Sequence, residues 1–247
     1  MQACKYCGQL KTPVKSHIIP RSFYEIKAFS QNAPHNSLSM LSDAEDLKPI
    51  KRPIDIYDEE LFCKECEDKF MIYDDYAFKI LNEQSSHRKP LRDEKGQELG
   101  AYYETYEYNK LKLFFMSVLL RAGLSDVLFF KHVKVGPYIE LIKDAIDAGT
   151  APDSNDFAVF LAYDDETKKG LVMFPPAQKR IEKIKFYHFH IGHVIFYIKV
   201  DKRDTPKDLQ PIILKPNGKL FLIKFSLKDA NAYDILKGMV RVHYEIE

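Results

Sequence analysis

The sequence predicts an α+β protein in two parts: a cysteine-stapled module of two strands and a helix over residues 1–95, and a domain of two helices and a mainly antiparallel sheet over 96–247. Three observations predict it. All four cysteines stand in two Cys-x-x-Cys pairs, Cys4–Cys7 and Cys63–Cys66, the second opening a helix-like run. Residues 106–122 carry apolar side chains at Leu111, Phe114, Phe115, Val118, Leu119 and Ala122, the spacing of a helix with one face in a core. Beyond residue 150, runs rich in β-branched and aromatic residues alternate with polar turns, as strands of a sheet do.

Taken in order, residues 1–8 read as a metal knuckle whose Gly8 permits the positive φ of a tight turn. Val14–Ile19 is a short strand ended by Pro20, which cannot donate to a ladder. Residues 22–29 have the spacing of one or two helical turns, and 30–46 are polar and loop-like. The alternating basic and apolar run 48–54 suits a second strand, and a helix follows over 64–81, placing Glu67 and Asp74 on one face. Residues 84–100, with paired serines, Pro90 and mixed charges, form the expected domain boundary.

In the second part the 106–122 helix is expected to stop at Gly123, and a further helix over 137–148 before Gly149. Strands are expected at 157–163, 171–174, 186–200 and 219–225, with Asn217-Gly218 as a hairpin turn. The last segment, 233–244, begins helically and finishes as a strand.

With 247 residues, 45% of them hydrophobic, the chain can build one sizeable core or two smaller ones. Thirty-seven basic against 36 acidic residues give a formal charge of +1, so a polyanion must be met by a local patch. No run approaches the length of a membrane span and the N-terminus has no apolar signal core, so a cytoplasmic location without membrane contact is expected. In a reducing compartment, two Cys-x-x-Cys pairs supply four thiolates to a closed structural Zn²⁺ site.

The order Cys-x-x-Cys, a basic stretch ending in Lys15-Ser16-His17-Ile18-Ile19-Pro20, then a Cys-x-x-Cys opening a helix, resembles the HNH endonucleases of the ββα-metal type over the first third of the chain. The resemblance implies that His17 is the general base that activates water. Glu67, just after Cys66, falls where that family has its last catalytic-metal ligand. Asp58 falls near its orienting residue, with Asp58 or Asp74 in reserve as a ligand, and Ser16 stands where the family usually has a carboxylate. It further implies Mg²⁺ or Mn²⁺ in catalysis, DNA as substrate, and a context of restriction, mobile elements or phage defence. Lys15, Arg21, Lys48, Lys51 and Arg52 would contact phosphate.

The rival expectation is a catalytically degenerate zinc module that binds nucleic acid or a partner protein, the second domain serving targeting or assembly. A third set is weighed as a metal site: His188 and His190 alternate to one face of a strand and His193 follows, but no Cys, Asp or Glu completes them, and a polar strand face is the simpler reading. Tyr102, Tyr103, Tyr106 and Tyr108 are read as packing residues. Nothing in the second domain indicates a small-molecule ligand.

Overall fold

The computed structural model describes residues 1–23, 37–40, 50–53, 56–164, 172–173, 175–191 and 193–225. The chain opens with two short paired strands, β1 (Gln2–Ala3) and β2 (Leu10–Lys11), closing the knuckle around Gly8, whose φ of 71° is the left-handed value expected. β3 (Pro13–His17) follows, with a single 3₁₀ turn at Arg21–Phe23. Of the helical turns expected over 22–29, only residues 22–23 lie within the described residues.

β4 (Ser37–Met40) and β5 (Ile50–Pro53) form an antiparallel pair. β4 falls in a stretch expected to be loop, where alternation within Ser-Leu-Ser-Met is too short to announce itself. β6 (Tyr57–Cys63) is the partner of β3: Val14 faces Phe62, Ser16 faces Asp58 and His17 faces Tyr57. The strand expected at 48–54 is present as β5 but pairs with β4, so the partner of β3 is 57–63. Leu61, Phe62 and Cys63 are buried, giving β6 the apolar face that a core strand needs, whereas Asp58-Glu59-Glu60 disguise its first half as a polar loop.

The helix expected over 64–81 runs from α1 (Lys64–Glu67) through a 3₁₀ turn to α2 (Met71–Phe78) and a π-helical turn at Lys79–Glu83. β7 (Lys89–Arg92) and β8 (Glu98–Tyr103) then make a hairpin within the stretch read as a boundary.

α3 (Tyr108–Leu124) is the axis of the molecule. Instead of one buried stripe it is buried all round from Leu111 to Ala122, including Lys112 and Arg121, because α2 covers one side and the large sheet and α4 (Tyr138–Ala148) the others. The helix passes through Gly123, where a Cβ would come within 2.4 Å of Val135, so this glycine permits close approach and is not a stop. Gly149, at φ 62°, does end α4 as expected.

The remaining strands are β9 (Val159–Asp164), β10 (Val172–Met173), β11 (Ala177–Ile181), β12 (Ile184–Ile191), β13 (Val194–Lys199) and β14 (Leu220–Phe225). Residues 186–200 are thus a hairpin and not one strand: Ile191 pairs with Val194, so the chain reverses between them. The turn at 216–218 leads into β14 but closes no hairpin, since β14 pairs with β8 and β9. A two-residue hairpin turn occurs at Glu182-Lys183, both at positive φ, between β11 and β12. The expected terminal segment 233–244 lies outside the described residues.

Among the described residues the main sheet has seven strands in the order β11-β12-β13-β9-β14-β8-β7, antiparallel except for the β9/β14 pair. One buried cluster runs from Cys4 and Phe62 through Phe114 and Phe115 to Phe196 and Leu222. A second fills the opposite sheet face around Phe160, Phe186, Leu209 and Ile213. No described helix is long and apolar enough to cross a membrane.

Candidate metal centre and the adjoining His17 corner

The four cysteines converge, with every pair of Sγ atoms within 4.8 Å. Cys4, Cys63 and Cys66 are buried and Cys7 is exposed, and none forms a disulfide. The knuckle sets this up locally. The Gly8 amide donates to the Cys4 carbonyl at 2.8 Å, while Cys63, at the N-cap of α1, donates its amide to Cys4 Sγ at 3.3 Å.

Burial raises the cost of ionising Cys4, but amides of Cys7, Cys63 and Tyr6 outweigh it and bring the thiol down to about 7. Burial pushes the Cys63 and Cys66 thiols up, and for Cys66 the neighbouring sulfurs add to the effect. Four close sulfurs cannot all ionise without a positive charge between them, which is what a bound cation provides. The set is positioned to hold a structural metal ion. It is the single group of three or more His, Cys, Asp or Glu side chains that converge this way among the described residues.

The knuckle is tied to the far half of the chain. Lys5 pairs with Asp126 at 2.6 Å and donates to the Leu124 carbonyl at 3.1 Å; Tyr6 donates to Asp147 on α4 at 2.7 Å, and Lys69 reaches the same carboxylate.

Beside this centre, the end of β3 meets α1 and α2. Ser16 is fully buried and His17 half-buried, its ring 6.1 Å from that of Tyr57. Glu67 lies against this corner. Burial pushes its carboxyl up and Asp74 adds to that, while Arg121, the Ser16 hydroxyl and the His17 amide oppose it. Glu67 Oε2 is buried and has no hydrogen-bond partner among the described residues.

Asp58, facing Ser16 across the ladder, is fully engaged: Oδ2 accepts from Ser125 Oγ at 2.8 Å and the Asp126 amide at 3.3 Å, and Oδ1 from the Glu60 amide at 2.9 Å. It anchors the turn after α3 and has little left to offer an ion. Asp74, the reserve ligand, is held by Arg121 through both oxygens at 2.7 and 2.9 Å.

Of the basic residues, Lys15 is exposed with its ammonium 3.5 Å from the Tyr57 ring centroid, and Arg21 is exposed nearby in sequence on the 3₁₀ turn. Lys51 and Arg52 stand on β5, and Lys48 lies outside the described residues.

The three histidines do not make a site. His188 and His190 stand 5.7 Å apart on β12, whereas His193 sits 2.9 Å from Arg88 beyond the strand end. Burial lowers the pKa of both paired imidazoles, as on a half-buried sheet face.

Arg121 was not singled out by sequence reasoning. Its signal was a lone cation within the apolar run from Leu113 to Ala122, which a buried helix tolerates when the charge is paired. Comparison with family models, curated proteins and solved structures yields no match.

Proposed function

We propose that the chain is a zinc-stapled, HNH-like phosphodiester hydrolase acting on DNA, with His17 as general base and Glu67 as its metal-binding carboxylate. The observation that carries this reading is the approach of Glu67 to the Ser16–His17 corner, with one buried carboxylate oxygen left without a hydrogen-bond partner among the described residues. Two antiparallel strands joined to a helix bring them together from positions 50 residues apart.

For the staple, zinc fits the four sulfurs. A tetrahedral site with Zn–S near 2.3 Å has sulfurs about 3.8 Å apart, and a cluster whose sulfurs all lie within 4.8 Å needs only slight contraction. For the corner, Mg²⁺ or Mn²⁺ held by Glu67, with water and phosphate oxygens completing the shell, would neutralise charge on the phosphorane and the leaving oxygen.

The chain's own residues do the rest. In this reading the His17 imidazole is the base that takes a proton from the attacking water. Lys15, steadied over Tyr57, supplies a cation for a flanking phosphate.

A second reading is favoured by two observations: Ser16 stands where the resembled family usually has a carboxylate, and the positive charge of Arg121 near Glu67 offsets part of the attraction a cation would feel there. In that reading the module is a scaffold that binds nucleic acid or a partner protein without cutting. Supercoiled plasmid incubated with purified protein and Mg²⁺, Mn²⁺ or EDTA separates the two. Metal-dependent nicking that disappears in His17→Ala and Glu67→Gln supports hydrolysis; no nicking with either metal, alongside retained DNA binding, supports the scaffold.

A further inference from the structure

The side chain of Arg121 is 1% exposed, and all five of its N–H groups are used. Nε donates to the Ser117 carbonyl at 3.3 Å. Nη1 donates to the His17 carbonyl at 3.0 Å and to Asp74 Oδ2 at 2.9 Å. Nη2 donates to Asp74 Oδ1 at 2.7 Å and to Ser117 Oγ at 3.0 Å. The guanidinium lies 5.0 Å from the Phe70 ring centroid. One side chain of α3 therefore touches the end of β3 and the middle of α2 together.

We propose that Arg121 is a positioning residue of the His17 corner: its planar fork fixes the end of β3 against α2, which carries Asp74 and continues the helical run that begins with Glu67 in α1. This rests on the hydrolase reading for its catalytic consequence, although the geometric claim does not. A buried ion pair adds little net stability over an apolar pair of similar volume. What the fork supplies is direction, because it meets a carboxylate in two parallel bonds and still presents a third N–H to a carbonyl in the same plane. A lysine ammonium, a point charge with three donors, cannot hold both groups in that geometry. The site is then assembled from both halves of the chain, and the corner carrying His17 is set by a helix more than 100 residues further on.

The test uses the full chain with Arg121→Lys and, separately, the paired change Arg121→Met with Asp74→Leu. The pair removes the fork without stranding a buried charge. Three readouts are taken on each: metal content and thermal melt, the ¹³C carbonyl and imidazole signals of His17, and kcat and KM for plasmid nicking.

The expected result is a folded, metal-loaded protein in which the His17 carbonyl resonance moves upfield and its ring signals average. Nicking then falls in kcat by about 10²-fold, as a misplacement near 1 Å produces, with KM unchanged. Unchanged kcat in a variant whose carbonyl signature is lost would overturn the proposal, as would His17 signals that do not move in either variant. Unfolding of both variants also overturns it, marking Arg121 as a stability residue. If the wild type does not nick, the hydrolase reading fails by itself, and the His17 signals still decide the positioning claim.

Discussion

Arg121→Met alone has a consequence whose size follows from the burial of its partner. The guanidinium is 1% exposed and the Asp74 side chain 17%, so the change leaves a carboxylate with little water and removes the donor from the carbonyls of His17 and Ser117. Breaking one side of a buried pair costs about 3–5 kcal/mol, which for a chain of this length lowers Tm by about 6–20 °C. Burial already pushes the Asp74 carboxyl up, and Arg121 opposes that shift, so its loss drives the carboxyl further up. The sign follows: a folded-state pKa above the unfolded value makes the folded form bind the proton more tightly. The penalty is therefore full at pH 8 and shrinks as pH falls through the raised folded value. Adding Asp74→Leu removes the stranded charge and returns stability to within about 1 kcal/mol of wild type or above it. Urea denaturation of the four members of the cycle at pH 8 and pH 5.5 measures this. A single variant within experimental error of wild type, or a double variant as unstable as the single, would refute the reasoning.

Two further outcomes concern other parts of the fold. Under the proposed zinc-staple reading, replacing Cys63 with Ser should abolish stoichiometric zinc and loosen the knuckle, since that residue is both a buried member of the sulfur cluster and the N-cap of α1. Metal analysis together with a melt of the variant checks it, and full zinc content with an unchanged Tm would contradict the assignment. Burial lowers the pKa of His188 and His190, the latter from 6.5 to about 3. Both are neutral in folded and unfolded chains well above pH 6.5. Below that value the unfolded chain takes up protons that the folded one refuses, and stability is lost by up to about 1.4 kcal/mol per pH unit per histidine. His190→Phe should flatten the acid limb of the stability curve between pH 6.5 and 4, and parallel curves would count against it.

How far the site could be read from sequence depended on the range of the information. The cysteine spacing announced the sulfur cluster directly, because a Cys-x-x-Cys turn brings two thiols to one side whatever surrounds it. Glu67 could be placed beside the Ser16–His17 corner only by resemblance, and the corner's neighbours were misread in part. Asp58 proved to anchor Ser125, a partner 67 residues away. The true partner of β3 was hidden because the acidic first half of β6 masks the buried second half.

The sequence by itself determined the mixed α and β composition, the two Cys-x-x-Cys turns, α4 with its glycine stop and the core of α3, all properties of spacing within a turn or a few turns of chain. Tertiary structure alone decided that α3 is buried on every side, that β14 joins β8 to β9, and that Arg121 spans Asp74 and His17. Local periodicity shows that a face must be covered but carries no record of which distant segment covers it. A buried charge is the exception worth reading: Arg121 had to find a carboxylate, and only the packing of α2 against α3 determined that it would be Asp74.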